Sequence, residues 1–226
     1  MRNLIILSIL LIAMANIGVA CKGGGISSPL RYGDVITYKC DFIDMNFYIG
    51  DKEVPDVLNF EIVDIKTKNR DGYTVDVVYA DISDKYGKYL HKRRELGGYI
   101  KPVVTDLSEI FYVYPDIEWI SDWIDYMKSM GFSVEGENGY WTLTRSYKDY
   151  YYSENITIVY REFVLFKYVF TFRWEYGYVE HGSFTLVRVG AYNKNWVLAV
   201  STSVIITGTL AIVMYVSIRR RLGVST

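Results

Sequence analysis

Residues 196–218 read WVLAVSTSVIITGTLAIVMYVSI, a stretch without a charge or a proline, and Arg219, Arg220 and Arg221 follow at once. At about 1.5 Å per residue a helix over this stretch is about 34 Å long, enough to cross a hydrocarbon core of about 30 Å with some tilt. A helix is also the form in which a backbone immersed in lipid satisfies its own polar groups. The arginines behind it predict a cytoplasmic C-terminus, because basic residues favour that side. The chain then divides into an extracytoplasmic body, a transmembrane helix at 196–218, and a cytoplasmic tail at 219–226 too short for a signalling domain. That places the protein in the cell membrane as a single-pass protein with its ectodomain outside. Tyr192 and Trp196 suit the outer interface and Tyr215 the inner one. Ala199, Ser203, Thr207 and Ala211 recur every four residues, a small-residue stripe that permits a homodimer through the span.

The other end of the chain carries a second apolar segment. Arg2 precedes Leu4–Ala15 (LIILSILLIAMA), and Gly18 and Ala20 place small residues at −3 and −1 of a cut before Cys21. Residues 1–20 read as a cleaved secretory signal peptide, with an uncleaved N-terminal anchor as the alternative. Residues 21–31, beginning Cys-Lys-Gly-Gly-Gly-Ile-Ser-Ser, read as a Gly/Ser-rich tether. The remaining body, 32–190, is long enough for one core and one domain. Cys21 closes a loose lipobox, Ile17-Gly18-Val19-Ala20-Cys21, with glycine where leucine is usual. A lipid there is redundant beside a transmembrane helix. The alternatives are a Cys21–Cys40 disulfide, which an oxidising exterior permits, and two free thiols.

Net charge is −1, which leaves no basic surplus for nucleic acid. Tyrosine is abundant, at 22 residues, and with Val, Ile, Phe and Thr it tilts the body towards strands. Val35–Ile43 alternates with period two, Phe47–Ile49 forms a short run, and Phe60–Thr67 and Tyr73–Asp81 flank Asn69-Arg70-Asp71-Gly72 as a hairpin. Tyr73, Val75, Val77 and Tyr79 share one face of its second arm. Residues 82–106 are less legible. Lys85, Lys88, His91, Lys92, Arg93 and Arg94 make a basic segment that reads as a solvated loop or hairpin tip, or as a contact for anionic headgroups.

One soluble helix is predicted over Asp116–Met130 (DIEWISDWIDYMKSM), with Ile117, Ile120, Ile124 and Met127 as its apolar stripe and Gly131 as its stop. Trp119 and Trp123 lie four apart on it, either covering the sheet or lining a ligand pocket. Asn138-Gly139 marks another tight turn between strands. Asn155-Ile156-Thr157 is a glycosylation sequon. A meander of Ile156–Tyr160, Val164–Trp174 and Tyr178–Val189 ends the domain, with a bulge expected at Gly182. Phe166, Tyr168, Phe170, Phe172 and Trp174 share the parity of the second strand, as a core face or as the floor of an apolar cavity that faces a ligand. Only Gly190–Asn195 then separates the last strand from the span. The fold class expected is mainly β (α+β): an antiparallel curved sheet or half-barrel with one packed helix and a C-terminal transmembrane helix.

The general plan resembles the membrane-anchored surface proteins of archaea that pair a signal peptide with a β-rich ectodomain. The likeness rests on Gly33-Asp34-Val35-Ile36-Thr37-Tyr38 for a G-D-x-x-x-Y opening and on a Trp-rich helix at Trp119 and Trp123. It rests also on Phe163-Val164-Leu165-Phe166-Lys167-Tyr168 for a late G-V-L-x-x-Y strand, with Phe163 replacing the glycine. The alternation of hairpins with one covering helix is similar to the lipoprotein-carrier architecture, in which a half-barrel shelters an acyl chain.

Catalytic chemistry finds little footing. His91 and His181 are far apart and outside any metal-binding spacing, and no nucleophile elbow, P-loop or dinucleotide fingerprint occurs. Glu118, Asp122 and Asp125 read as the polar face of the helix. No catalytic residue, metal or cofactor is assigned. The function expected is a non-enzymatic surface protein whose ectodomain binds a hydrophobic ligand, a lipid or another envelope protein. The alternatives are a self-associating structural component of the envelope and a hydrolase of unfamiliar constellation.

Overall fold

The computed structural model describes residues 29–44, 48–49, 51–70, 72–175 and 180–221. The expected signal peptide at 1–20, Cys21 with the lipobox reading, and the end of the tail at 222–226 lie outside them. Nine strands form one sheet: β1 (Asp34–Ile43), β4 (Val57–Arg70), β5 (Tyr73–Ser83), β6 (Tyr89–Leu96), β7 (Ser133–Glu137), β8 (Tyr140–Lys148), β9 (Tyr152–Arg161), β10 (Val164–Trp174) and β11 (Glu180–Asn193). Their order is β6-β5-β4-β1-β11-β10-β9-β8-β7, every pairing antiparallel, and the sheet is open rather than closed into a barrel. Tyr48–Ile49 and Lys52–Glu53 add a two-residue ribbon, β2 and β3. Among the described residues there are three helices: α1 (Leu107–Ile110), α2 (Ile117–Ser129) and α3 (Lys194–Arg221).

Local chemistry sets several of these boundaries. The β7–β8 turn places Asn138 and Gly139 at φ +53° and +86°, the pair of positive angles a two-residue hairpin needs. The β9–β10 turn takes the same shape with Glu162 and Phe163, at +54° and +65°. Phe163 thus adopts the backbone conformation that glycine, the residue of the resembling motif, reaches without strain. Helix α2 begins where the Asp116 side chain accepts the Trp119 N–H at 2.9 Å, and Gly131 at φ +84° ends it.

The sheet curls around α2. Strands β5 and β8 are six spacings apart in the strand order, about 29 Å if the sheet were flat. Yet adjacent helix residues reach both: the Tyr73 hydroxyl at the start of β5 donates to Asp122 at 2.5 Å, and the Trp123 ring lies 5.8 Å from Trp141 of β8. The trough so formed is filled by the segment 97–115 and by α2. Phe111 stacks on Phe60 at 4.5 Å, and the Tyr38 hydroxyl donates to the Leu165 carbonyl from across the trough. Trp123 meets Trp119, Trp141 and Tyr160 at 6.2, 5.8 and 5.6 Å between ring centroids.

Burial corrects the face assigned to the helix. Trp119, Trp123 and Met127 are buried, whereas Ile117 is 75 % exposed and Ile120 and Ile124 are only partly covered. The helix is turned to bury the two indoles, whose apolar area exceeds that of the isoleucines. On β5, Val77 and Val78 are both buried and Tyr79 is not, because a register shift opposite Ile62–Asp64 breaks the alternation. The basic segment is a hairpin: Lys85 and Lys88 lie in the turn between β5 and β6, and His91, Lys92, Arg93 and Arg94 lie in the second strand rather than in a loop. In β6, Arg94 pairs with Asp106 at 3.1 Å, Arg93 pairs with Asp64, and Glu95 of the same strand takes Arg70. Gly182 is in register opposite Phe172 rather than bulged, and a Cβ there would sit 2.5 Å from that ring.

Cys40 is a free thiol in the core, 2 % exposed. Burial, with Asp41 and Asp56 nearby, pushes its pKa up to about 12. An acid whose folded pKa is raised favours the protonated fold. This contribution is complete below the unfolded thiol's pKa of about 8.5 and is lost as pH rises from there towards 12. Iodoacetamide at pH 8 should therefore leave Cys40 unmodified in the native chain and label it in denaturant, read by peptide mass. Comparable labelling in both states would contradict its burial.

Candidate functional site

Strands β10 and β11 part company at one end of the sheet. Their ladder runs from Trp174 and Glu180 to Lys167 and Val187 and stops there. Beyond it β10 turns to a different partner: Leu165 N–H donates to Phe111 O at 2.8 Å, Val113 N–H donates to Phe163 O at 2.9 Å, and Tyr112 bridges Val164. Strand β11 continues instead along β1 as far as Asn193. The change of partner needs an extra residue, and a register shift between Leu165 and Lys167 supplies it. Leu165 takes the buried place opposite Tyr160, and Phe166 is left partly exposed between two guanidiniums, Arg161 at 3.7 Å and Arg188 at 5.5 Å from its centroid.

A cleft of about 230 Å³ occupies the gap. Leu30, Ile36 and Val164 form its apolar lining, and Glu162, Arg188 and Tyr192 contribute polar groups. Asp34 also faces it, but that carboxylate is engaged, accepting Arg31 N–H at 2.6 Å and Asn193 Nδ2 at 2.8 Å. Among the described residues Arg188 has no carboxylate within 4 Å, and Glu162 has no cation within that distance.

The cleft opens beside the start of α3, and the strand passes into the helix without a linker. Of Gly190–Asn195, expected to separate the last strand from the span, residues 190–193 belong to β11 and Lys194 and Asn195 are already helical. The junction is clamped to the segment 31–34. Lys194 N–H donates to Gly33 O at 2.9 Å, Asn193 Nδ2 to Tyr32 O at 3.1 Å, and the Lys194 ammonium pairs with Glu61 of β4. The Asn193 carboxamide oxygen caps α3, accepting the N–H groups of Asn195 and Trp196 at 3.0 and 3.2 Å. From Lys194 to Ser217 the helix is long and apolar enough to cross a membrane. Hydroxyls of Thr202, Ser203, Thr207 and Thr209 each donate to the carbonyl four residues earlier, so these groups are satisfied within the helix. Asn193→Ala should raise the exchange rate of the Asn195 and Trp196 amides about tenfold, equivalent to about 1.4 kcal/mol and within the range of a lost cap. Unchanged protection in hydrogen exchange of the detergent-solubilised chain would remove Asn193 from the clamp.

The residues singled out in the sequence fall in different places. Trp119 and Trp123 are 0 % and 1 % exposed inside the trough. Of the aromatic series on β10 only Tyr168 is fully buried; Phe170 packs against the core, Phe172 is partly covered, and Trp174 is 44 % exposed at the far end of the strand. Phe166 alone of that series borders the cleft, through its contact with Arg188. Asn155 is exposed on β9, its side-chain oxygen accepting from Ser146 at 2.7 Å. His91 Nε2 lies 2.6 Å from Ile49 O, His181 is exposed, and neither lines the cleft. A second hollow of about 150 Å³ lies among Asp149, Tyr150, Tyr151 and Arg173. No cluster of three metal-ligating side chains occurs among the described residues. The cleft escaped sequence reading because it depends on β10 changing partner, although Glu162-Phe163, a turn without glycine or asparagine, stands at its rim. No protein family matches the chain, and no curated protein or solved structure proves similar to it.

Proposed function

We propose that the chain is a non-enzymatic single-pass surface protein, with its β domain outside the cell membrane and its C-terminus in the cytoplasm. The domain is mounted firmly at the lipid surface, where it engages a lipid or a protein of the envelope. The observation that carries this reading is the direct passage of β11 into an apolar helix, locked by Asn193 and Lys194 to the segment 31–34 and to Glu61. A tethered receptor head has no use for such a joint; a domain working at a fixed height and orientation over lipid does. Filling of the trough by Phe111, Tyr114, Trp119 and Trp123 speaks against an acyl chain held in the interior.

In cells, the full chain should resist extraction from membranes by alkaline carbonate. A reporter fused after Thr226 should be active only when it is one that works in the cytoplasm. Release by carbonate, or an external reporter signal, would overturn the proposal.

A further inference from the structure

The cleft between β10 and β11 has a chemistry that selects its occupant. Arg188 lines the space with no carboxylate of the described residues within 4 Å, on a side chain already partly withdrawn from water. A planar fork of N–H donors in that condition fits a phosphate, which it can engage with two bonds. Arg161 lies over the same Phe166 ring as Arg188, so a second positive charge stands on this side.

A simple anion is nevertheless a poor fit, because Glu162 faces the same cavity and, among the described residues, is held only by the Tyr140 hydroxyl at a long 3.4 Å. Phosphate and carboxylate would repel across it. A group carrying an ammonium beside its phosphate satisfies both side chains. Glu162 keeps its place at φ +54°, a conformation that asparagine or glycine would adopt more cheaply. The size agrees: about 230 Å³ holds about seven water-sized groups, and a phosphoethanolamine has roughly eight non-hydrogen atoms. Leu30, Ile36 and Val164 supply the apolar wall that a lipid's glycerol and first methylenes would meet.

Position points the same way. Ala191 and Tyr192 line the cleft, and α3 begins two residues later, with Trp196 in its first turn. Tyrosine and tryptophan at that point belong to the headgroup layer, and the clamp holds the cleft there. We propose that the cleft is a binding site for a zwitterionic phosphate–ammonium headgroup, the phosphate on Arg188 and the ammonium on Glu162, supplied by a lipid of the outer leaflet. This rests on the membrane placement proposed above.

The test uses the full chain in a mild detergent, titrated with phosphatidylethanolamine, phosphatidylglycerol or a neutral diglycosyl diacylglycerol, with bound lipid counted by native mass spectrometry. Phosphatidylethanolamine should be retained about tenfold better than phosphatidylglycerol, and the glycolipid not at all. Arg188→Gln should lose phosphatidylethanolamine about tenfold, and Glu162→Gln should abolish the preference between the two phospholipids. Free phosphoethanolamine at millimolar concentration should displace the lipid only weakly; complete displacement would show that the soluble headgroup is the ligand and overturn the lipid assignment. Equal retention of all three lipids, or an Arg188→Gln protein that holds phosphatidylethanolamine like the parent, would overturn the site. Should Arg188→Gln misfold by circular dichroism, the lipid preference of the parent and of Glu162→Gln still decides. A chain that enters membranes but shows no preference sinks this site alone, whereas a chain that fails to enter them sinks the membrane placement as well.

Discussion

Trp123→Ala is expected to lower the stability of the domain by about 3–5 kcal/mol, a large part of the 5–15 kcal/mol that holds an ordinary domain together. The side chain is 1 % exposed and touches a ring on every side: Trp119 one turn earlier on α2, Trp141 on β8 and Tyr160 on β9. Truncation removes those contacts and leaves a hollow at the point where the curled sheet rests on its helix, with three rigid aromatics unable to collapse into it. Ile117→Ala is the control. That residue is 75 % exposed on the same helix, and its loss should stay within about 0.5 kcal/mol. Equilibrium unfolding in urea, followed by near-ultraviolet circular dichroism, separates the two. A larger loss at Ile117 than at Trp123 would mean that the helix presents its isoleucine stripe to the sheet.

The second large effect is expected at Gly97. Its φ is +59°, and a Cβ built there would lie 2.0 Å from the Tyr112 carbonyl oxygen and 2.6 Å from the Tyr112 nitrogen. Both are backbone atoms that cannot swing aside, because Gly98 N–H donates to that same carbonyl at 2.9 Å and Gly97 N–H donates to Ser108 O at 2.5 Å. Gly97→Ala should combine left-handed strain with overpacking, about 2–5 kcal/mol together. Gly72→Ala has only the strain to meet, at φ +92° with open space around the new methyl, and should cost about 1 kcal/mol. The ratio between the two glycines, taken from their unfolding midpoints, measures how closely the segment 97–115 is pressed into the trough. Equal losses would mean that it is not.

Much of this architecture is visible in local sequence signals, and its departures have identifiable causes. Asn138-Gly139 and Asp116 with Gly131 are places where one residue's chemistry sets one turn or one cap, and they stand where the sequence puts them. Alternation fails wherever a strand changes partner or shifts register. Phe166 leaves the series of Tyr168 and Phe170 because β10 exchanges β11 for the segment 111–113, a long-range event that period two does not encode. The rotation of α2 follows from competition between two indoles and a row of isoleucines, which spacing alone does not decide. In β6 the run of basic residues conceals a strand, because the acidic partners Asp64 and Asp106 are distant in sequence. The cleft is the least legible feature of all. It is made from the divergence of two strands that pair side by side for most of their length.

The central claim, a β domain fixed without a linker to a membrane-crossing helix, is tested most directly by spin-label distances. With Cys21 replaced by serine and the buried Cys40 by alanine, nitroxides at Lys39→Cys on β1 and Ile212→Cys on α3 report the joint in lipid nanodiscs. The expected result is a single narrow distance distribution, together with an Ile212 label accessible to oxygen and shielded from a water-soluble nickel complex. A distribution tens of ångströms wide, or an Ile212 label open to nickel, would contradict it.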